Sequence, residues 1–243
     1  TIFSLVTPHS SLLTHHFSLS TEEPHLLLAI DTATRIAGIA LYDQDGLHAE
    51  QMWKTSDNHT VELMPYIVRA CEHQGLAPSA LAAVAVSLGP GSFTGLRVGL
   101  SVAKGLALAL HIPLLGVPTL DATAYAHSHQ PLPVCAVLPA GRGRWCIAFY
   151  QLIADTWQRR SEYALVSLNE LVALLKEPTL VCGEIDSSLA QALREAVPSQ
   201  AIIVSPAFAI RRAGYLAELA WQRFIAGEHD DLPSLSPIYL QRA

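Results

Sequence analysis

Apolar positions along this 243-residue chain alternate between short unbroken runs and longer runs at helical spacing. "LLLAID" at 26–31 is a continuous apolar run of strand length, the pattern of a strand buried on both faces. "IAGIALYD" and "LHAEQMWK" follow, separated by the turn "DQDG" at 43–46, so the chain opens as a three-strand meander. In "NHTVELMPYIVRACEHQG", Val61, Leu63, Met64, Ile67, Val68 and Cys71 recur close to helical spacing. Asn58 or Thr60 is placed to cap that helix, Gly75 to end it, and Pro65 falls early enough to be tolerated or to kink it. "LAAVAVSLG" predicts a fourth strand, and a glycine-rich stretch then enters a helix over about 94–110. Pro113 and Gly116 bracket a fifth short strand, and Pro118 suits the first turn of a helix beginning "TLDATAYAHS".

The order β-β-β-α-β-α-β is that of a ribonuclease-H-like lobe with a mixed sheet. "HSHQPLP" at 127–133 is the best linker, and a similar series follows it. "VCAVLPAGRGRWCIAFYQLI" reads as two strands around a Gly-Arg turn, and "SLNELVALLK" as a helix whose Ser167 and Glu170 form a capping box. "TLVCG" and "AIIV" are strands, "SSLAQALREAV" a helix, and "AGYLAELAWQRFIAG" a last long helix stopped by Gly227. The expected fold is α/β and two-lobed, of the actin-like, sugar-kinase and Hsp70 type. Its expected parts are a disordered extension at 1–25, a first lobe at 26–130 and a second lobe at 131–243. Such a fold does not by itself give a function.

Composition narrows the classes. A hydrophobic fraction of 51% with 15% charged residues is that of a globular protein. The net charge of −6 argues against a stand-alone nucleic-acid binder. No apolar run approaches the roughly 20 uncharged residues that cross a bilayer, so no membrane is expected. Cys71, Cys135, Cys146 and Cys182 lie far apart without a CxxC pair, which suits reduced buried thiols and a cytoplasmic location. Residues 1–24, rich in Ser, Thr and His, lack the organisation of a signal peptide.

Two motifs carry candidate chemistry. "DTAT", with Asp31, Thr32 and Thr34, follows the first strand; in phosphate-handling members of this superfold such an Asp faces a metal-phosphate. Asp and Thr are equally ordinary turn residues, and both readings stand. "SLGPGSFTGLRVGLSVAKGLAL" at 87–108 places Gly89, Gly91 and Ser92 ahead of a helix, where backbone N–H groups can hold an anion. It is not a P-loop, since GxxxxGK[ST] is absent. Gly95, Gly99 and Gly105 inside the helix each cost about 1 kcal/mol against Ala, a cost that makes sense where another backbone approaches closely. One element can serve both uses.

Other chemistry finds no support. HExxH and HxxxH are missing, and His127 and His129 form a chance HxH, so no metal is expected. GxSxG is absent, and the second-lobe hairpin "LPAGRGRW" has Pro139 where a kinase of this superfold would place an acid. Arg142 and Arg144 are cations that meet phosphate or RNA but cannot be general bases. No catalytic residue is expected.

"LLLAIDTAT", "NHTVELMP", "GPGSFTGLRVGLSVAKGLAL", "PLLGVPTLDATAYA" and the closing "PIYLQR" together resemble the TsaB family, from about Leu26 to Arg242. The resemblance implies a non-catalytic subunit that pairs with a catalytic TsaD-like transferase, joined by a TsaE-like ATPase, to form threonylcarbamoyladenosine at position 37 of tRNA. It implies no cofactor of the subunit's own, with ATP or ADP at the level of the complex, and a homodimer when the subunit is alone. Carried over by position, the interface is a helix with His59, Leu63, Met64, Ile67 and Val68 beside one with Arg97, Val98, Ser101, Val102 and Gly105. On that reading the glycines chiefly permit close helix packing with the partner, and anion binding is secondary. The family's Asp-Ala-Arg stretch in the second-lobe hairpin is replaced here by Pro139, Ala140 and Gly141, with Arg142 one place later. The alternatives from other classes are a nucleotide-binding regulator and a metallopeptidase-like or kinase-like enzyme of the same superfold.

Overall fold

Strand β1 (Leu26–Asp31) is buried along its whole length, because it forms the centre of a five-stranded sheet. The computed structural model describes residues 26–55 and 59–240, with the backbone alone for His59 and Thr60. The expected extension at 1–25, the capping role of Asn58 and the side chain of His59 lie outside the described residues.

The first sheet runs β3-β2-β1-β4-β5, with β2 (Ile36–Asp43), β3 (Gly46–Lys54), β4 (Leu81–Gly89) and β5 (Leu114–Pro118). β1, β2 and β3 are antiparallel neighbours, whereas β4 and β5 add in parallel after crossovers. Helix α1 (His59–His73) is continuous through Pro65, and a short 3-10 turn at 78–80 leads into β4. Helix α2 (Phe93–Leu110) is capped by Ser92, whose hydroxyl accepts from the Gly95 amide, and ends at His111 in the left-handed region.

The second sheet repeats this order as β11-β10-β6-β7-β8, with β6 (Val134–Gly141), β7 (Arg144–Ile153), β8 (Thr156–Arg159), β10 (Thr179–Gly183) and β11 (Ala201–Ile203). β9 (Ala164–Ser167) pairs with the Arg144–Ile147 end of β7, the part of that edge that β8, paired at Tyr150–Ile153, leaves free. Helix α4 (Leu168–Leu174) starts at Ser167 with both bonds of the capping box formed. Helix α5 (Ser187–Ala196) is capped by Asp186. Two ribonuclease-H-like sheets of one topology make this the two-lobed actin-like architecture.

The helices do not stay with the sheets they follow in sequence. Leu28, Ile30 and Ile39 point from the first sheet toward α1 and α2, where Leu63, Ile67, Leu100 and Ala103 complete one core. The opposite face presents Ala29, Ala40, Ala83 and Ala85, and α6 (Ala213–Ile225) covers it with Ala213, Ala217 and Ala220. Small residues on both sides let helix and sheet approach closely, so the last helix belongs by packing to the first lobe. Conversely α3 (Thr119–Tyr125) places Leu120 and Ala124 in the core on one face of the second sheet, while α4 and α5 cover the other. A boundary between 130 and 131 therefore divides the chain in order, not in packing. Residues 228–240 then run back along the first lobe, where the Asp230 amide donates to Leu114 O and the Ile238 amide to Leu88 O.

Candidate functional site

Asp31 ends β1 at the cleft between the lobes and is fully buried. Of its two readings, phosphate-facing acid and turn residue, the structure shows Asp31 bonded within the protein, to the guanidinium of Arg211, itself only 3% exposed. Arg211 Nε donates to Asp31 Oδ2, Nη1 to Glu184 Oε1 at 3.1 Å, and Nη2 to Thr34 Oγ1 at 3.1 Å. The Thr34 hydroxyl donates in turn to Glu184 Oε1. Burial opposes the charge on Arg211, but Asp31 and Glu184 outweigh it and hold the guanidinium above its ordinary pKa. An internal cation thus takes the place where a metal-phosphate would meet this aspartate, and it ties β1 to the loop after β10 and to the start of α6.

The glycine loop is closed against the same turn. The Ser92 amide donates to Ala33 O at 2.6 Å, and the Gly89 amide to Thr119 Oγ1 at 3.0 Å. The Gly95 amide is taken by Ser92 Oγ, and the Ala33 amide by Asp31 Oδ1. Thr32 Oγ1 donates to Gly95 O at 2.7 Å. A Cβ on Gly91 would fall on Ala33 O, and one on Gly99 on Thr32 Oγ1, both inside the 3.0 Å that real Cβ atoms do not cross. These glycines are required by the fold itself. The Gly89, Ser92 and Gly95 amides, three of those that would cradle an anion, are spent within the protein.

The outward side of the first lobe is different. α1 and α2 lie side by side over one sheet face, and their outward side carries several exposed apolar residues among polar ones. Val61 is 73% exposed, Met64 37%, Phe93 55% and Leu108 65%. Leu63 and Ile67, expected at an interface, have no exposure; they belong to the core beneath it. Helical geometry explains the correction, since Leu63 and Ile67 lie four apart on the inward stripe while Met64 and Val68 lie on the next. Val68, Val98 and Val102 are half-buried, and Arg97, Ser101 and Gly105 are exposed. Thr94, Arg97, Val98 and Ser101 line a shallow groove of about 400 Å³. A Cβ on Gly105 would meet nothing within 4 Å. α2 is also apolar and long enough, by length and composition alone, to cross a membrane, yet a third of it is buried against the sheet. Among the described residues, no group of three or more His, Cys, Asp or Glu side chains could hold a metal.

The family model described as TsaD, tRNA N6-adenosine threonylcarbamoyltransferase, matches residues 53–232. The tRNA threonylcarbamoyladenosine biosynthesis protein TsaB of Bacillus subtilis is 31% identical over 220 residues, covering 89% of this chain and 94% of that protein. This chain belongs to the TsaB family. The Escherichia coli TsaB is 35% identical over 127 residues, a match spanning 51% of this chain and 54% of that one. Among solved structures, YeaZ from Pseudomonas aeruginosa superposes with a TM-score of 0.75 at 25% identity, over 88% of this chain and 99% of that one.

Within this TsaB-family chain, the structure packs the glycine stretch against "DTAT", and sequence reasoning missed what fills the cleft. Arg211 lies 180 positions from Asp31, and no spacing rule links them. "AIRRAG" carried one usable signal, an arginine in an otherwise apolar approach to a helix.

Proposed function

We propose that this chain is a non-catalytic, partner-binding subunit of the machinery that makes threonylcarbamoyladenosine in tRNA. Its partner is a TsaD-like catalytic subunit, which it activates by docking. The observation that carries this reading is the apolar outward face of α1 and α2, where Val61, Met64 and Leu108 stand in solvent beside the open surface at Gly105. Contiguous apolar surface of this kind marks a protein interface. The match to the TsaD family supports the choice of partner, because two chains of one fold can pair through equivalent faces. A TsaE-like ATPase and tRNA join at the level of the complex, in the cytoplasm, and without its partner the same face closes on a second copy. The internal bonding of Asp31, Ser92 and Gly95 supports assigning any ATP or ADP requirement to the complex and not to this cleft.

The test is threonylcarbamoyladenosine formation on tRNA in a reconstituted mixture with this chain omitted, restored, or replaced by Gly105→Leu. Restoration is expected to switch modification on, and Gly105→Leu to fail while melting no lower than the wild type. Equal product without this chain would overturn the reading.

A further inference from the structure

One charge stands at the edge of the apolar face, and it is held in position from two sides. The Arg97 guanidinium carbon lies 3.7 Å from the centre of the Phe93 ring, and Arg97 Nε donates to Tyr239 Oη at 3.2 Å. The Phe93 and Tyr239 rings are 5.4 Å apart, so ring, guanidinium and phenol form one cluster. Tyr239 is far away in sequence; residues 228–240 bring it there, anchored by the Ile238 amide on Leu88 O and by Lys104 Nζ on Pro233 O at 3.2 Å.

The partners of Arg97 are all neutral. Among the described residues no carboxylate lies within 4.0 Å of it, and α2 contains no acidic residue. Phe93 and Tyr239 hold the exposed guanidinium by its face and its Nε, and neither terminal nitrogen has a hydrogen-bond partner among the described residues. A guanidinium fixed in this way has already lost much of its rotamer freedom, which lowers the entropic cost of a later contact. A cation covered by an apolar partner without a counter-charge would be strongly unfavourable. We propose that Arg97, posed by Phe93 and Tyr239, receives a carboxylate of the TsaD-like subunit at the rim of the α1–α2 face. This rests on the docking face proposed above and adds the chemistry that selects the partner. A second copy of this chain fits less well: of the two acids on α1, Glu62 already accepts from Trp53 Nε1 at 2.9 Å, and Glu72 stands in the last turn of the helix.

The experiment measures binding of the full chain to the catalytic subunit at low and high salt, for Arg97→Met, Arg97→Lys, Tyr239→Phe and Gly105→Leu, each checked to melt no lower than the wild type. Arg97→Met is expected to weaken binding by about tenfold and to flatten its salt dependence. Arg97→Lys should not restore it, because an ammonium reproduces neither the stacking nor the fork. Tyr239→Phe keeps the ring and loses the acceptor, and is expected to weaken binding by about two- to fivefold. Native affinity and salt slope in Arg97→Met, with Gly105→Leu defective, would overturn the proposal and leave the docking face standing. Native affinity in Gly105→Leu as well would overturn the face itself. A change confined to self-association would make the second copy the occupant and overturn the proposal.

Discussion

Gly99 and Gly105 occupy one helix six residues apart and have opposite physical reasons to lack a side chain, which a pair of alanine substitutions can separate. In Gly99→Ala the new methyl would collide with the Thr32 hydroxyl, inside the 3.0 Å limit. Thr32 is fully buried and donates to Gly95 O at 2.7 Å, so it cannot turn away without losing that bond. Overpacking of this kind costs about 1–3 kcal/mol, and an unsatisfied buried hydroxyl a further 1–3, roughly. Against this stands a gain of about 1 kcal/mol for replacing Gly by Ala within a helix. The net expectation is destabilisation of about 1–5 kcal/mol, or a melting temperature lower by roughly 2–20 °C at this chain length. Gly105→Ala meets nothing within 4 Å, so only the helix term remains and the protein should melt about 2–4 °C higher. Scanning calorimetry of the two variants beside the wild type decides the matter. A Gly99→Ala protein melting at or above the wild type would refute the claim that the glycine loop is shaped by the "DTAT" turn.

Arg211→Met would leave Asp31 buried and unpaired beside Glu184, and is expected to cost about 3–5 kcal/mol in urea unfolding; adding Asp31→Asn should recover part of that loss. Burial pushes the Cys146 thiol up to about 11 and the Cys182 thiol up to about 12, and all four cysteines are buried. A thiol reagent at pH of about 8 should therefore label the native protein slowly and all four positions in denaturant. Burial lowers the pKa of His127 below its ordinary 6.5, against a backbone hydrogen bond at Phe208 that raises it. The unfolded chain then binds this proton more readily, so the contribution of His127 is complete above 6.5 and is lost as pH falls through the depressed folded value. His127→Gln should flatten that part of the dependence of melting temperature on pH; an unchanged slope below 6.5 would exclude the effect.

Local signals determined a large share of this protein. The unbroken apolar runs at Leu26–Asp31, Leu81–Gly89 and Thr179–Gly183 are strands with those bounds, and the Ser167–Glu170 capping box starts α4 as its spacing requires. These succeed because a strand buried on both faces, or a helix start, is dictated by residues only a few positions apart. β8 and β9 escaped notice, since four-residue strands at an edge carry too little periodicity to stand out. Tertiary structure alone decided three matters. It placed α6 on the first sheet, because an alanine-lined helix fits an alanine-lined face. It filled the cleft with Arg211, because a buried carboxylate takes whichever cation the fold brings to it. It also divided the helical apolar residues between core and surface, sending Leu63 and Ile67 inward and leaving Val61 and Leu108 in solvent. Sequence period gives the pitch of a helix. The direction in which that helix turns depends on what covers each of its sides, and those contacts join residues too distant in the chain to leave a local pattern.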